Sequence, residues 1–355
     1  MVGNSSITEP VVRARVPLRL SFGGGGTDVD PYASLHGGVT LNATIAKYVY
    51  CTVAPRSELD VAITNWDLLS RLSDDYRGHG GDRRLVGAVL NRLVSGIERG
   101  FRLELLSEAI PGSGLGSSSS MVVAVILGLA RYFGVVMGPH EVADLAYRVE
   151  RTDLGISGGY QDQYAAAFGG FNWTEYGRDG VAVEPLTLKP GVLSELELRL
   201  MLWHTGQTHL SGGILAQQIH AYEDGHPDTM RRLALMKEHA QTMKKALLSG
   251  RLDDFGRLLD ESWQLKRHLA ANITTTYIDR LYQKAREAGA LGGKLVGAGG
   301  GGFLLLYVPE TLRGDVIRTL SEVGGNYGGS VHFDLRGPEI WTSPEFVAKI
   351  RAFIL

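Results

Sequence analysis

A few residues have the type and spacing to do chemistry. In V-E-R-T-D-L-G-I-S-G-G-Y-Q-D-Q-Y (149–164), Glu150 closes a helical stretch and Asp162 follows a glycine-loosened loop. Phosphoryl transfer from a nucleotide needs a divalent cation held by oxygen ligands and gains from a carboxylate near the acceptor hydroxyl. Two carboxylates beside a phosphate loop can divide that labour, although either could also be a cap or a surface charge. In P-G-S-G-L-G-S-S-S-S (111–120), glycines allow backbone N–H groups to converge on an anion. Its serines are placed to cap the helix that follows, and a helix N-terminus offers partial positive charge to phosphate. No G-K-[ST] follows, which excludes a Walker A loop.

Two further segments join these. P-L-R-L-S-F-G-G-G-G-T-D (17–28) reads as a strand that delivers Arg19 toward four glycines, then Thr27 and Asp28. An arginine fork suits phosphate, or a sugar hydroxyl shared with a carboxylate, and Asp28 can accept from sugar hydroxyls. The plainer alternative is a surface arginine and an Asx turn. G-A-G-G-G-G (297–302) formally satisfies G-x-G-x-x-G, but the following FLLLYV (303–308) reads as a strand. The dinucleotide fingerprint requires a helix there, so a Rossmann site is rejected. What remains is a hairpin turn, or a glycine turn pressed against a neighbouring loop or ligand.

The elements that must hold these segments follow from periodicity. Residues 11–20 and 46–54 read as strands, 82–99 as a helix and 101–106 as a strand. MVVAVILGLARYF (121–133) reads as a helix buried on most faces, and 139–151 as a second helix with Pro139 in its first turn. The pattern pauses at Lys189–Gly191, the best domain boundary, before a strand expected over 196–205. Residues 209–290 are helical by period, with breaks near Gly225–Pro227, Gly250 and Asn272–Thr276, and the remainder resembles a small α/β unit. Residues 57–81, which include Trp66, would line a nucleotide pocket or form a flap.

Composition narrows the function classes. The 355 residues, 44% hydrophobic and 21% charged, exclude disorder and suffice for two domains. With 36 basic against 38 acidic side chains, no strong field exists to gather nucleic acid or an anionic membrane, so a small-molecule partner is favoured. The single cysteine, Cys51, excludes an intramolecular disulfide and a thiolate zinc cluster, and fits a reducing cytoplasm. No leader-like segment or long apolar span is found. Glycine is in excess, at 47 residues, and clusters at 23–26, 112–116, 155–159, 292–302 and 324–329. Such clusters mark sharp turns or close approach to a ligand.

The order and spacing of Arg19 with Gly23–Asp28, the 111–120 loop, the Glu150–Asp162 segment and Gly297–Gly302 resemble the superfamily of galactokinase, homoserine kinase, mevalonate kinase and phosphomevalonate kinase. The resemblance runs from about residue 11 to about 335. Within it, R-L-S-F-G-G-G-G-T-D, Y-Q-D-Q-Y and K-L-V-G-A-G-G-G-G-F are most similar to the D-glycero-D-manno-heptose 7-phosphate kinases. The resemblance implies an α+β fold of two domains. Residues 1–190 would form a domain like ribosomal protein S5 domain 2, and 191–355 a ferredoxin-like domain carrying the third glycine motif.

By the same resemblance, Pro111, Gly112, Ser113, Gly114, Leu115, Gly116, Ser117, Ser118 and Ser119 would wrap the ATP phosphates, and Ser118 and Glu150 would hold Mg2+. Asp162 would act on the anomeric hydroxyl as base or orienter, with Arg19 as electrostatic partner. Gly26, Thr27, Asp28 and Gly159 would meet the sugar, and Gly299, Gly300 and Gly301 would close the site from the second domain. His209, Lys266, Arg267 and Lys47 are candidates for a distal phosphate, whereas His204 with His209 makes a poor metal pair. The expected activity is ATP-dependent phosphorylation of heptose 7-phosphate at O1, giving a 1,7-bisphosphate for nucleotide-heptose synthesis. A kinase for free L-fucose or another hexose is the nearest alternative, and a non-catalytic sugar and ATP sensor is the alternative from another class. A homodimer is compatible with all of these.

Overall fold

The computed structural model describes residues 10–57, 61–65, 81–96, 99–110, 112–207 and 212–343. The N-terminal half runs β1 (Val11–Gly23), α1 (Tyr32–His36), β2 (Gly38–Pro55), β3 (Val61–Asn65), α2 (Gly81–Leu93), β4 (Phe101–Ser107), α3 (Ser117–Phe133) and α4 (Pro139–Arg148). A π turn (Val149–Asp153), α5 (Gln161–Phe168), β5 (Phe171–Gly177) and β6 (Gly180–Leu186) complete it. The sheet order is β11-β1-β2-β4-β3, with β5 paired to the other end of the long β2 and β6 to β5. Leu18, Leu20 and Phe22 of β1 enter the core, where α3 is buried nearly all round. That is the behaviour expected of an uninterrupted apolar run with no polar stripe.

The second half runs α6 (Pro190–Arg199), β7 (Leu200–His204), α7 (Gly212–Glu223), α8 (Pro227–Leu248), α9 (Leu252–Lys266), α10 (Thr276–Glu287), β8 (Gly292–Leu295), β9 (Phe303–Tyr307), α11 (Arg313–Val323), β10 (Asn326–Ser330) and β11 (Glu339–Ser343). Its sheet order, β10-β7-β9-β8 with every pair antiparallel, is the ferredoxin-like βαββαβ arrangement with four helices in the first crossover. β7 and β9 are covered on both faces. Leu200, Leu202, Phe303, Leu305 and Tyr307 join the core cluster of the first half, whereas Met201, Trp203, Leu304 and Leu306 join a second cluster with Ile278, Leu281, Val316 and Leu320. Burial on both faces explains why FLLLY is continuously apolar instead of alternating.

The structure corrects several expectations. The segment 196–205 is only half strand. Extended Lys189 followed by Pro190 at the first helical position starts α6, which runs to Arg199 before β7 begins. The alternation in LELRL imitates a strand there. The helix expected over 82–99 ends at Leu93, and the one over 139–151 gives way to the π turn after Arg148. The expected 190/191 division falls in the first turn of α6. β11 returns to the first sheet, where Val11–Arg15 pair with Glu339–Ser343 and so supply the ladder that the edge of β1 would otherwise lack.

Candidate active site

A cleft opens between the two halves, and the sequence motifs line it. Its walls include Arg19, Gly26, Asp28, Gly112, Gly114, Gly116, Ser117, Ser118, Ser119, Glu150, Gly159, Asp162, Lys266 and Gly299. Two register irregularities in the pairing of β1 with β2, between Pro17 and Leu18 and between Ser21 and Gly23, bracket the stretch that bears Arg19 and Ser21. Irregularities of this kind re-aim side chains beside functional sites.

Arg19, only 4% exposed, joins the motifs. Its Nε and Nη2 donate to the two carboxylate oxygens of Asp162, each at 2.7 Å, and Nη1 donates to the Gly114 carbonyl at 2.5 Å. A bidentate fork of this kind fixes the carboxylate in one plane. Asp162 sits in the first turn of α5, where the helix dipole favours negative charge.

The 112–119 loop has a backbone geometry suited to an anion. Gly112, Gly114 and Gly116 take positive φ (74°, 80° and 76°) in alternation with ordinary residues, the backbone pattern that turns successive N–H groups toward one side. The first N–H groups of α3 then add their unshared donors. The serines, however, do not cap α3. Left-handed Gly116 occupies the N-cap with no side-chain bond, so the serines fall inside the helix and their hydroxyls go elsewhere. Ser118 and Ser119 donate to the two oxygens of Glu150 at 3.2 and 2.7 Å, and Ser120 donates to the Pro17 carbonyl at 3.1 Å. Glu150 is 1% exposed, stands on the π turn and also accepts from Gln163 Nε2.

The Ser118 hydroxyl and the Glu150 carboxylate are hard oxygen donors that both line the cleft, a donor set that fits Mg2+. No cluster of three His, Cys, Asp or Glu able to hold a metal occurs among the described residues. A divalent ion at Glu150 would thus complete its coordination with phosphate oxygens and water, the usual pattern for Mg2+.

The 23–28 loop holds Asp28 with both oxygens engaged, one by Gly26 N and one by Gln161 N, each at 3.0 Å. Burial raises its pKa, opposed by those two backbone donors. Gly159 lies against it so closely that a Cβ there would stand 2.1 Å from Asp28 Oδ2. The second domain closes the far wall. The 297–302 turn is a β8–β9 hairpin that also presses on the 112–119 loop, since a Cβ on left-handed Gly297 would fall 2.5 Å from Gly114 Cα.

Other assignments move. Thr27 is 0% exposed and outside the cleft. Its hydroxyl bonds the Gly24 and Val39 carbonyls and accepts from Val39 N, which makes it a strut of the loop rather than a sugar ligand. Ser113 and Leu115 are buried behind the loop; Leu115 anchors it in the core and accepts from Arg19 N at 3.0 Å. Of Gly299, Gly300 and Gly301, the first and last line the cleft, whereas Gly300 N is bonded to the Ile273 carbonyl at 2.8 Å and Gly300 is not in the lining. Arg267 is paired with Asp279 at 2.5 Å, and neither it nor Lys47 lines the cleft. His204 lies on β7, where its Nδ1 accepts from Gly206 N. Pro111, His209 and Trp66 lie outside the described residues.

Sequence reasoning missed Ser21, Arg151, Gln161, Gln218 and Lys294, all of which line the cleft. Ser21 Oγ donates to Gln161 Oε1 at 2.8 Å, and Arg151 braces the 156–159 loop through the Ile156 and Gly159 carbonyls. Lys294 carried a signal, a lysine inside a four-residue strand that is otherwise glycine and leucine.

The family model for the GHMP kinases N terminal domain matches residues 84–170, and that for the GHMP kinases C terminal matches residues 243–326. A D-glycero-alpha-D-manno-heptose 7-phosphate kinase of Campylobacter jejuni is 35% identical over 337 residues, covering 93% of this chain and 98% of that one. The crystal structure of a D-glycero-D-manno-heptose 1-phosphate kinase from Bacteroides thetaiotaomicron superposes with a TM-score of 0.73 at 34% identity, over 93% and 98% of the two chains. A bifunctional fucokinase/GDP-fucose pyrophosphorylase of Arabidopsis thaliana is 25% identical over 90% of this chain and 32% of its own length. With two glycine-built loops meeting around Arg19 and Asp162 and relatives aligned almost end to end, the chain belongs to the GHMP kinases and is a phosphotransferase of their sugar-kinase type.

Proposed function

We propose that the protein transfers the terminal phosphoryl group of ATP to the anomeric oxygen, O1, of D-glycero-D-manno-heptose 7-phosphate, giving the 1,7-bisphosphate and ADP. The observation that carries the reading is the span of Arg19, which holds Asp162 by a two-point fork and the phosphate loop by the Gly114 carbonyl. The group that receives a proton and the loop that receives a triphosphate are thereby fixed at one distance. In the transfer, an O1–P bond forms, the bond from the γ-phosphorus to the bridging oxygen breaks, and the hydroxyl proton passes to Asp162. Arg19 orients Asp162 and places positive charge beside the transferring oxygens, the kind of positioning and electrostatic help a loose transition state needs.

The backbone donors of Gly112–Ser119 would take the triphosphate, and Glu150 with Ser118 would hold Mg2+, which when bound neutralises charge on the β- and γ-phosphates. Asp28, Gly26 and Gly159 would form the sugar wall. The heptose phosphate is favoured as acceptor by the end-to-end likeness to the Campylobacter enzyme. Initial rates with ATP and heptose 7-phosphate, set against L-fucose and free hexoses, test the reading, with 31P NMR locating the new phosphate. We expect heptose 7-phosphate to be preferred and the product to be an anomeric phosphate. A preference for the unphosphorylated sugar, or binding without turnover, would overturn it.

A further inference from the structure

Two lysines of the second half lie beneath the cleft with no carboxylate to balance them. Lys266, the last residue of α9, is 6% exposed, and its Nζ donates to the Leu295 carbonyl at 3.2 Å and to that of Gly297. Lys294 of β8 is 2% exposed and donates across to the Phe22 carbonyl of β1 at 3.0 Å. Both line the cleft, and neither forms an ion pair among the described residues. The charged groups around them are Arg19 from β1, Asp162 from α5 and Asp28 from the loop after β1. Asp162 is already held by Arg19 at both oxygens, and both oxygens of Asp28 accept backbone N–H.

When both lysines are charged, three buried cations therefore share two carboxylates that are already engaged. An ammonium has three donors, of which these carbonyls take two on Lys266 and one on Lys294. A buried charge left without a partner is costly, so the two lysines hold their charge only when an added anion is present. We propose that Lys266 and Lys294 are the second domain's phosphoryl-binding residues and, with Arg19, form a cationic floor whose counter-charge arrives with the ligand. The hairpin turn that Lys266 holds touches Gly114, so an anion seated on the phosphate loop lies beside the pair.

One consequence is proton uptake. Burial, and then the charge of Arg19, pull Lys266 down to about 7, with Asp162 and Asp28 in partial opposition. Burial, with Lys266 and Arg19, pulls Lys294 well below the ordinary lysine range. An arriving dianion favours the charged ammonium and reverses the shift. The inference rests on reading the cleft as a phosphoryl-transfer site, not on which sugar it takes. The phosphate can come from the nucleotide or from the acceptor.

The test is calorimetric titration at about pH 8 in buffers of different ionisation enthalpy, where the ligands' own phosphates are already deprotonated. The probes are Mg2+ with AMP-PNP, and heptose 7-phosphate alone. We expect uptake of up to about two protons by the unaltered enzyme, one for each lysine, and about one fewer by Lys266→Arg, whose guanidinium stays charged. Uptake with AMP-PNP assigns the pair to the transferring phosphoryl group; uptake with heptose 7-phosphate assigns it to the acceptor's phosphate. No uptake with either probe, or equal uptake in Lys266→Arg, would overturn the proposal, and the first of these needs no variant to fold. If heptose 7-phosphate is refused while AMP-PNP still draws in a proton, the substrate reading fails and this one stands. Rapid turnover of heptose 7-phosphate with no uptake sinks this one alone.

Discussion

Arg19 uses all three guanidinium nitrogens, Nε and Nη2 on Asp162 and Nη1 on Gly114, so its removal would loosen two sides of the cleft at once. A narrower change separates chemistry from architecture. Asp162→Asn keeps the shape but removes the proposed proton acceptor, and should lower kcat by about 100-fold or more, the scale of a lost general base, while nucleotide affinity changes little. Unchanged kcat would remove Asp162 from proton transfer. Thr27 gives the opposite test. Its buried hydroxyl ties two carbonyls and an N–H, so Thr27→Val should cost about 1–3 kcal/mol of stability, measured by denaturant unfolding, with little effect on the KM of the sugar. A selective rise in that KM would return Thr27 to the sugar wall. The two residues differ in how they read from sequence. Asp162, Glu150 and Arg19 stand in motifs where chemistry is the economical explanation, whereas Thr27 shares a motif with Asp28 and only burial separates their roles. Lys294 carries a signal as the one charged residue of β8, but periodicity says nothing of what a buried ammonium faces.

At the scale of elements, the cleft is a meeting of two loops that each need glycine for a stated reason. Gly114 has a φ of +80°, and a Cβ there would stand 2.4 Å from the Val296 carbonyl oxygen. Gly114→Ala must strain the phosphate loop or push the hairpin away. A backbone strain of about 1–3 kcal/mol, at tenfold per 1.4 kcal/mol, should raise the KM for ATP by about 10-fold or more and that of the sugar by less. An unaltered KM for ATP would show that the two loops do not act together. Most elements were legible, since apolar periodicity located β1, β4, α3 and the breaks between α7, α8, α9 and α10. What failed has physical causes. The serines of 117–120 looked like caps because cap preference is a property of residue type, whereas a left-handed glycine had already taken that position. LELRL alternates like a strand, but Pro190 after extended Lys189 nucleates a helix through it. The pairing of β11 with β1 is a contact across the whole chain that no local pattern encodes.

For the whole molecule, the question is whether the two halves behave as separate bodies. Family boundaries and the cleft suggest so, but the core argues against it. Leu200, Leu202, Phe303, Leu305 and Tyr307 of the second sheet and Met243, Phe255 and Leu259 of α8 and α9 belong to the same buried cluster as Leu18, Leu20 and Phe22 of β1. Lys294 bonds the Phe22 carbonyl, β11 crosses back into the first sheet, and a Cβ on Gly23 would come within 3.0 Å of Met243 Sδ. Unfolding one half would expose the face of β7 and β9 that the other half covers, as well as breaking the β1–β11 ladder. The free energy of opening either half alone then approaches that of opening both, which is the condition for cooperative behaviour. Unfolding of the ligand-free protein should therefore appear as one transition by calorimetry, with calorimetric and van't Hoff enthalpies in agreement and fluorescence and circular dichroism coincident. Two resolved transitions would mean that the shared cluster is an interface between independent domains, and that the cleft between them can open widely without ligand.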